Sequence, residues 1–302
     1  MTYKLLSYHA ENGIVAGILV GDRIFPVAQA LNDPAMRSTM NVLEHWREAR
    51  PKLAAFARTG PAGGFPLAEA RLAAPIPRPP VIYCVGANYK DHVENMARAT
   101  GVKLDTNPQA SGQKPWFFIK SSASVVGTGE KIRLDSTKLD WEAELALVVG
   151  VRSSGLTPDN ALECIAAIAN ANDLSARDYM LREKQDSSSP FRYDWIGHKS
   201  FDGSCPMGPW LMPMDDVADV QDLSIRLWVN NTLRQNSSTG NMIFTAAEQI
   251  AHLSSRLTLH PGDVILTGTP AGPGAETGEF LKSGDVVRVQ IGDLGELVNI
   301  IS

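Results

Sequence analysis

The stretch Asp140-Trp141-Glu142-Ala143-Glu144-Leu145-Ala146-Leu147-Val148-Val149 constrains the fold more than any other part of the chain. Two carboxylates at i and i+2 lead into an apolar run. On a β-strand such residues share a face, so Glu142 and Glu144 project together while Leu145, Leu147 and Val149 alternate onto the other side. Two like charges at the mouth of a buried strand are costly, and a hard divalent cation with oxygen ligands removes that cost. In isolation the pattern also fits a solvated strand edge, so the rest of the chain has to decide.

Its 302 residues suffice for one large core or two domains, and a 44% hydrophobic, 20% charged composition is that of a soluble globular protein. A net charge of −5 argues against a nucleic-acid or anionic-membrane partner. No apolar run approaches the roughly 18 residues of a membrane span, and the start Met1-Thr2-Tyr3-Lys4 lacks a signal-peptide layout. Cys84, Cys164 and Cys205 are widely spaced and match no zinc pattern, which fits buried thiols in a reducing cytoplasm.

Residues 1–72 read as a small N-terminal unit: strand-like runs at 4–8, 14–20 and 23–27, a hairpin turn at Gly21-Asp22, and a helix from about Met40 to Phe56 with Val42, Leu43, Trp46 and Leu53 on one face. His45 reads as a surface histidine. The Gly-rich break at 59–64 and the Pro-rich run at 75–80 place a boundary near 72, leaving 73–302 as the main domain.

In that domain the strand Val81–Gly86 opens into Ala87-Asn88-Tyr89-Lys90-Asp91-His92-Val93-Glu94-Asn95, where Asp91, His92 and Glu94 are capable of proton chemistry and Asn88 is positioned to cap a helix. The polar segment 97–114 fits a mobile lid or an exposed loop. Thr157-Pro158 predicts a helix start, and 164–172 fits helix or strand equally. Asp173 falls near a strand end, and Ser175 is positioned to cap a helix over Ala176–Lys184. Lys199 fits a partly buried cation or a solvated one, and His198 a structural or exposed residue. A hairpin through Asn230-Asn231, a capping box at Thr245–Glu248, a turn at 260–263 before the strand Val264–Leu266, and a closing hairpin over 293–295 complete the pattern. The loop Thr267-Gly268-Thr269-Pro270 can offer backbone N–H groups to an anion but lacks the Gly-Lys-Ser/Thr element of a P-loop.

With these residues collected, the chain from about Pro75 to Ser302 resembles the fumarylacetoacetate hydrolase family. The landmarks stand in the family's order: Gly86-x-Asn88-Tyr89-x-x-His92, Glu142-x-Glu144, Asn172-Asp173-x-x-x-Arg177-Asp178, Lys199-Ser200-Phe201-Asp202, Pro206-x-Gly208-Pro209-Trp210, Pro261-Gly262-Asp263 and Thr267-Gly268-Thr269-Pro270. The resemblance implies a β-rich α+β fold, a mixed β-roll with a small N-terminal α/β domain. It implies Mg²⁺ or Mn²⁺ (Ca²⁺ in some members) on Glu142, Glu144 and Asp173, and a small-molecule 2-oxo acid as substrate. By position, Lys199 would stabilise developing negative charge, and Arg177 would hold the site or a substrate carboxylate. Thr269, Gly268 and Tyr89 would bind substrate, and His92 would be the general base.

One departure stands out. Many members place a glutamate three residues after the histidine, forming a dyad; here that position is Asn95, and Glu94 is one step early, on another face of a helix. Asp91 matches a metal-ligating aspartate in the hydrolase that names the family. The leading expectation is a metal-dependent hydrolase cleaving a C–C bond in an acylpyruvate or diketo acid (fumarylpyruvate, maleylpyruvate, fumarylacetoacetate or a sugar-derived diketo-deoxy acid), in aromatic or sugar-acid catabolism. The alternatives are an isomerase, tautomerase or decarboxylase on a related 2-oxo dicarboxylic acid, or a non-catalytic metal- or ligand-binding protein. The resemblance also implies a homodimer, although Trp195 and Trp210 fit a core better than an interface.

Overall fold

A computed structural model describes residues 2–101, 105, 107–133 and 135–302. It is a β-rich α+β fold, a mixed β-roll in which the described strands form a large sheet, a smaller one and the two-stranded pair Leu139–Asp140 with Ser175–Ala176. In the larger sheet the strand Ala143–Val149 lies between Ile165–Asn172 and Val264–Leu266, antiparallel to both; Val264–Leu266 then pairs in parallel with Ile82–Gly86, and Ile82–Gly86 with Trp116–Lys120. On the other side, Ile165–Asn172 pairs with Cys205–Pro213, which continues through Lys4–Ala10 into the N-terminal strands. The smaller sheet runs Thr232–Ser238, Ser224–Val229, Val286–Ile291, Glu296–Ile301 and Lys131–Ile132.

Burial of Ala143–Val149 on both faces explains its unbroken apolar run. Leu145, Leu147 and Val149 face the smaller sheet, packing in one core with Leu227, Val289 and Leu297. Ala146 and Val148 face the N-terminal unit, in a second core with Leu43, Trp46 and Leu53. Leu147 is fully buried, so truncation to alanine would cost about 2–5 kcal/mol.

Several local expectations change. The N-terminal helix is two helices, Thr39–Glu44 and Trp46–Arg58, separated at the exposed His45, although Val42, Leu43, Trp46 and Leu53 are buried as the pattern required. Residues 165–172 are a strand because both their neighbours are strands that need pairing. Thr157 opens a turn, its N–H donating to Asn160 Oδ1, and only the short 3₁₀ turn Ala161–Cys164 follows. Ser175 caps no long helix: Ser175–Ala176 pairs with Leu139–Asp140, and only the single 3₁₀ turn Arg177–Tyr179 follows. The capping box at Thr245 forms with both of its hydrogen bonds.

The helix Lys90–Thr100 begins without a side-chain cap. Asn88 is instead buried: its Nδ2 donates to Phe244 O and Thr267 O, and its Oδ1 accepts from Phe244 N. It thereby ties the start of this helix to the 267–270 loop. Of the segment 97–114, expected as a lid or an exposed loop, residues 102–104 and 106 lie outside the described residues.

Candidate active site

The hairpin register assembles the centre. Ala143 pairs with Asn172, Glu142 N donates to Asn172 Oδ1 and Asp173 N to Glu142 O. Asp173, the residue after one strand, is thus bound to Glu142, the residue before the other. Glu144 follows on the same side, and one oxygen from each of the three carboxylates lies within 4.8 Å of the others. All three residues are buried, with Glu144 and Asp173 each 1% exposed; the solvated-edge alternative fails on this point.

Two lysines and an arginine enter the cluster. Lys199 Nζ donates to Glu142 Oε2 at 2.8 Å and Asp173 Oδ2 at 2.7 Å. Lys120, buried at the end of the Trp116–Lys120 strand, donates to Asp173 Oδ1 at 2.6 Å and to Leu174 O. Arg177 donates through Nε to Asp140 Oδ2 at 2.9 Å, and its NH2 group contacts Glu142 Oε1 closely. It therefore fastens a carboxylate of the centre to the buried Asp140. Ser175 Oγ also reaches Glu142 Oε1, at 3.3 Å.

This distribution splits the carboxylates. Burial would raise Glu142, but Lys199 and Arg177 outweigh it and hold the carboxyl below its ordinary range. Burial raises Glu144 well above its ordinary value, and Asp173 and Glu142 add to the rise. Burial opposes the charge on Lys199, but Asp173 and Glu142 push its pKa up, so the ammonium stays protonated. With Glu144 ionised, four carboxylates, Asp140 included, against three cations leave one formal negative charge. A divalent cation entering with a doubly charged substrate preserves that balance. The all-oxygen donor set suits Mg²⁺ or Mn²⁺, and a nearby cation would relieve the penalty on ionised Glu144. The residues fit the ion.

His92 lies on the helix Lys90–Thr100, with its Nδ1 2.7 Å from Glu276 Oε1. Glu276 closes the short turn Gly274–Glu276, and its Oε2 accepts from Asn95 Nδ2 at 2.8 Å and Gly272 N at 3.0 Å. The histidine thus keeps a carboxylate partner, brought from a distant loop, and the asparagine three residues on helps to hold it. Glu94 is exposed on another side of the helix, and its backbone O accepts from Arg98. Asp91 accepts from Ser237 Oγ at 2.7 Å and from Ala271 N, outside the metal cluster.

The 267–270 loop closes one side. Gly268, at φ +94°, donates its N–H to Glu144 Oε2 at 2.7 Å. Thr269 Oγ1 accepts from Gln235 Nε2 at 2.8 Å, which leaves its own O–H available as a donor. Tyr89 is fully buried, with no hydrogen-bond partner for its hydroxyl among the described residues. His198 is buried with neither ring nitrogen bonded among the described residues; burial, then Lys199 and Arg177, pushes it down to about 2, so it is neutral. Trp195, expected in the core, is 36% exposed; its ring stacks on Phe118 and lies tilted against Trp116. Trp210 is half-buried, with Lys4 Nζ over its ring.

Lys120, Asp140, Gln235 and Glu276 carry no local sequence signal that marks them as site residues. A lysine ending an apolar strand, or a glutamate in a Gly-rich loop, carries no pattern of its own; only the fold brings them in.

The family model for the fumarylacetoacetate hydrolase C-terminal domain matches residues 81–302. The chain belongs to this family. It is 39% identical over 232 residues to the mitochondrial oxaloacetate tautomerase fahd2 of Xenopus laevis, covering 76% of this chain and 67% of that protein. It is 35% identical over 241 residues to the oxaloacetate tautomerase YisK of Bacillus subtilis, covering 78% and 74%. Among solved structures, maleylpyruvate hydrolase from Sphingobium sp. SYK-6, in complex with manganese(II) ion and pyruvate, superposes with a TM-score of 0.75 at 26% identity, over 99% of this chain and 98% of that one. The family's members named here are enzymes acting on small molecules. No helix among the described residues is long and apolar enough to cross a membrane.

Proposed function

We propose that this chain is a divalent-metal-dependent tautomerase that interconverts the keto and enol forms of a 2-oxo dicarboxylic acid, with oxaloacetate, the substrate named for its relatives, the first to test. This replaces C–C hydrolysis as the leading reading. The observation that carries it is the likeness to two proteins named oxaloacetate tautomerase, at 39% and 35% identity; the His92–Glu276 pair, close enough for His92 to act electrostatically on Glu142, supplies the oriented proton carrier such a reaction needs. Tautomerisation α to a carbonyl asks for one group that removes a carbon-bound proton and returns one.

Glu142, Glu144 and Asp173 would hold Mg²⁺ or Mn²⁺, which when bound supplies Lewis-acid polarisation of the 2-oxo group. His92 accepts the proton at Nε2 while Glu276 holds Nδ1 and stabilises the imidazolium. Lys199 adds fixed positive charge where the enolate oxygen develops, and Lys120 and Arg177 keep Asp173 and Glu142 in place. Thr269 O–H, with Gln235 behind it, donates to the distal substrate carboxylate; Tyr89, fully buried in the core, packs behind the site rather than against substrate, and the Gly268 N–H is already given to Glu144. Asp91 and Glu94 take no part in the proton transfer.

The test follows the loss of enol absorbance of oxaloacetate with Mn²⁺ and again with EDTA, with exchange of the C3 protons read by NMR in D₂O. Metal-dependent ketonisation with the carbon skeleton intact supports the proposal. Cleavage products appearing at the rate of enol loss would sink it.

Hydrolysis stays as a second reading, because the maleylpyruvate hydrolase relative was solved with manganese and pyruvate and an oriented histidine can equally activate water. It would place the chain in aromatic or sugar-acid breakdown, and solvent ¹⁸O entering the product would identify it. We further propose a homodimer, supported by exposed Trp116, Ile119, Phe191, Tyr193 and Ile196, the last three at 50–71%. A cytoplasmic setting is supported by three buried free thiols. Light scattering tests the dimer.

A further inference from the structure

Asp140 belongs neither to the carboxylate triad nor to the His92 pair, yet it touches the supports of both. It is fully buried. Its Oδ1 accepts from Trp141 N at 2.8 Å and Gly274 N at 2.6 Å; its Oδ2 accepts from Ala275 N at 3.1 Å and Arg177 Nε at 2.9 Å. Arg177 goes on to Glu142, on the metal side. Gly274 and Ala275 open the single turn that ends in Glu276, on the proton-carrier side.

The contact with that turn is close. A Cβ on Gly274 would lie 1.8 Å from Glu279 O, so the backbone there admits only glycine, and 3.0 Å from Asp140 Oδ1, so the turn is packed tightly against the carboxylate. Nor can another side chain easily replace the aspartate. Four donors converge on it, and an ionised carboxylate offers about four acceptor positions and no donor. In asparagine an NH₂ group would confront either Gly274 N–H and Trp141 N–H, or Ala275 N–H and Arg177.

We propose that Asp140 is a positioning residue that couples the two halves of the site: through Arg177 it orients Glu142, and through the Gly274–Glu276 turn it orients His92. The proposal rests on reading the triad as the metal site and His92 as the proton carrier, but it does not depend on which substrate is used. Metal affinity and proton-carrier geometry then share one anchor, and a single substitution disturbs both.

The test uses the full chain without substrate, so failure to turn over oxaloacetate cannot be mistaken for failure here. Mn²⁺ alone is titrated by calorimetry, and the ring ¹⁵N shifts of His92 are read by NMR. Asp140→Asn is expected to weaken Mn²⁺ binding about ten- to a hundred-fold, the usual effect of losing a residue that supports a ligand, and to move the His92 signals. Arg177→Lys, which breaks the bridge from Asp140 to Glu142 but leaves the Gly274 and Ala275 N–H bonds to Asp140 in place, weakens Mn²⁺ binding and leaves the His92 signals in place. Glu276→Gln does the opposite. A general loosening of the fold would not separate in this way. The proposal is overturned when Asp140→Asn moves only one readout or neither, or when Arg177→Lys and Glu276→Gln each move both. Should Asp140→Asn not fold, Asp140→Glu keeps the acceptors but shifts them by one methylene, and the same joint response is required of it.

Discussion

Glu276 offers a prediction in which the milder-looking substitution does more damage. Its Oε2 takes two donors, Asn95 Nδ2 and Gly272 N, while Oε1 faces His92 Nδ1. In Glu276→Gln the amide oxygen takes the position facing two donors, and the NH₂ group is turned on His92 Nδ1. That nitrogen must then accept, the ring proton moves to Nε2, and the atom that should receive the substrate proton is already protonated. Locking a catalytic histidine in the wrong tautomer costs on the order of 10⁴ in kcat. Glu276→Ala removes the carboxylate but leaves the ring free to choose its tautomer. It forfeits a charge-assisted hydrogen bond of about 1.5–3 kcal/mol, roughly a ten- to hundred-fold loss of rate. The expected order is wild type, then alanine, then glutamine, read as metal-saturated ketonisation of oxaloacetate, with thermal melts confirming that both variants are folded. A glutamine variant as active as the alanine variant or more so refutes the tautomer argument and the role assigned to His92.

Other outcomes follow from the same geometry. Because Glu144 is raised by burial and by its neighbours, it tends to keep a proton in the metal-free protein, and a metal ligand must lose it. Mn²⁺ binding should therefore release a proton and strengthen as pH rises until Glu144 is ionised without metal; calorimetry in buffers of different ionisation enthalpy checks the release, and none refutes it. Lys120→Ala leaves Asp173 with Lys199 as its remaining ammonium partner and should cost the metal-free protein about 3 kcal/mol in urea unfolding. Thr245→Ala removes the Oγ1 half of the capping box and the Oγ1 hydrogen bond to Glu248 Oε2 and should lower stability by about 1 kcal/mol without changing Mn²⁺ affinity.

The acidic centre was legible because period-2 alternation fixes which side of a strand a residue takes, and because Glu142-x-Glu144 and Asp173 lie where two paired strands begin and end. Closing hairpins and the capping box were legible for a similar reason: each is decided by residues within a few positions of one another. Missed were the residues whose role comes from long-range closure. Glu276 reaches His92 across a separation of 184 in the sequence, and nothing within either segment announces the other. The helix expected after Ser175 failed because local capping propensity lost to pairing of Ser175–Ala176 with Leu139–Asp140, which brings Arg177 back onto Asp140.

The paired ammonium groups on Asp173 have a consequence for how the protein is made. Many small metal-binding domains stay unfolded until their ion arrives, since only the ion can reconcile the ligands with one another. Here Lys120 and Lys199 already do part of that work. On the proposed reading of the triad, the polypeptide would finish folding in a cell short of manganese or magnesium, and activity would then follow the return of the ion. Scarcity would idle a standing population of this protein rather than send it to the proteases.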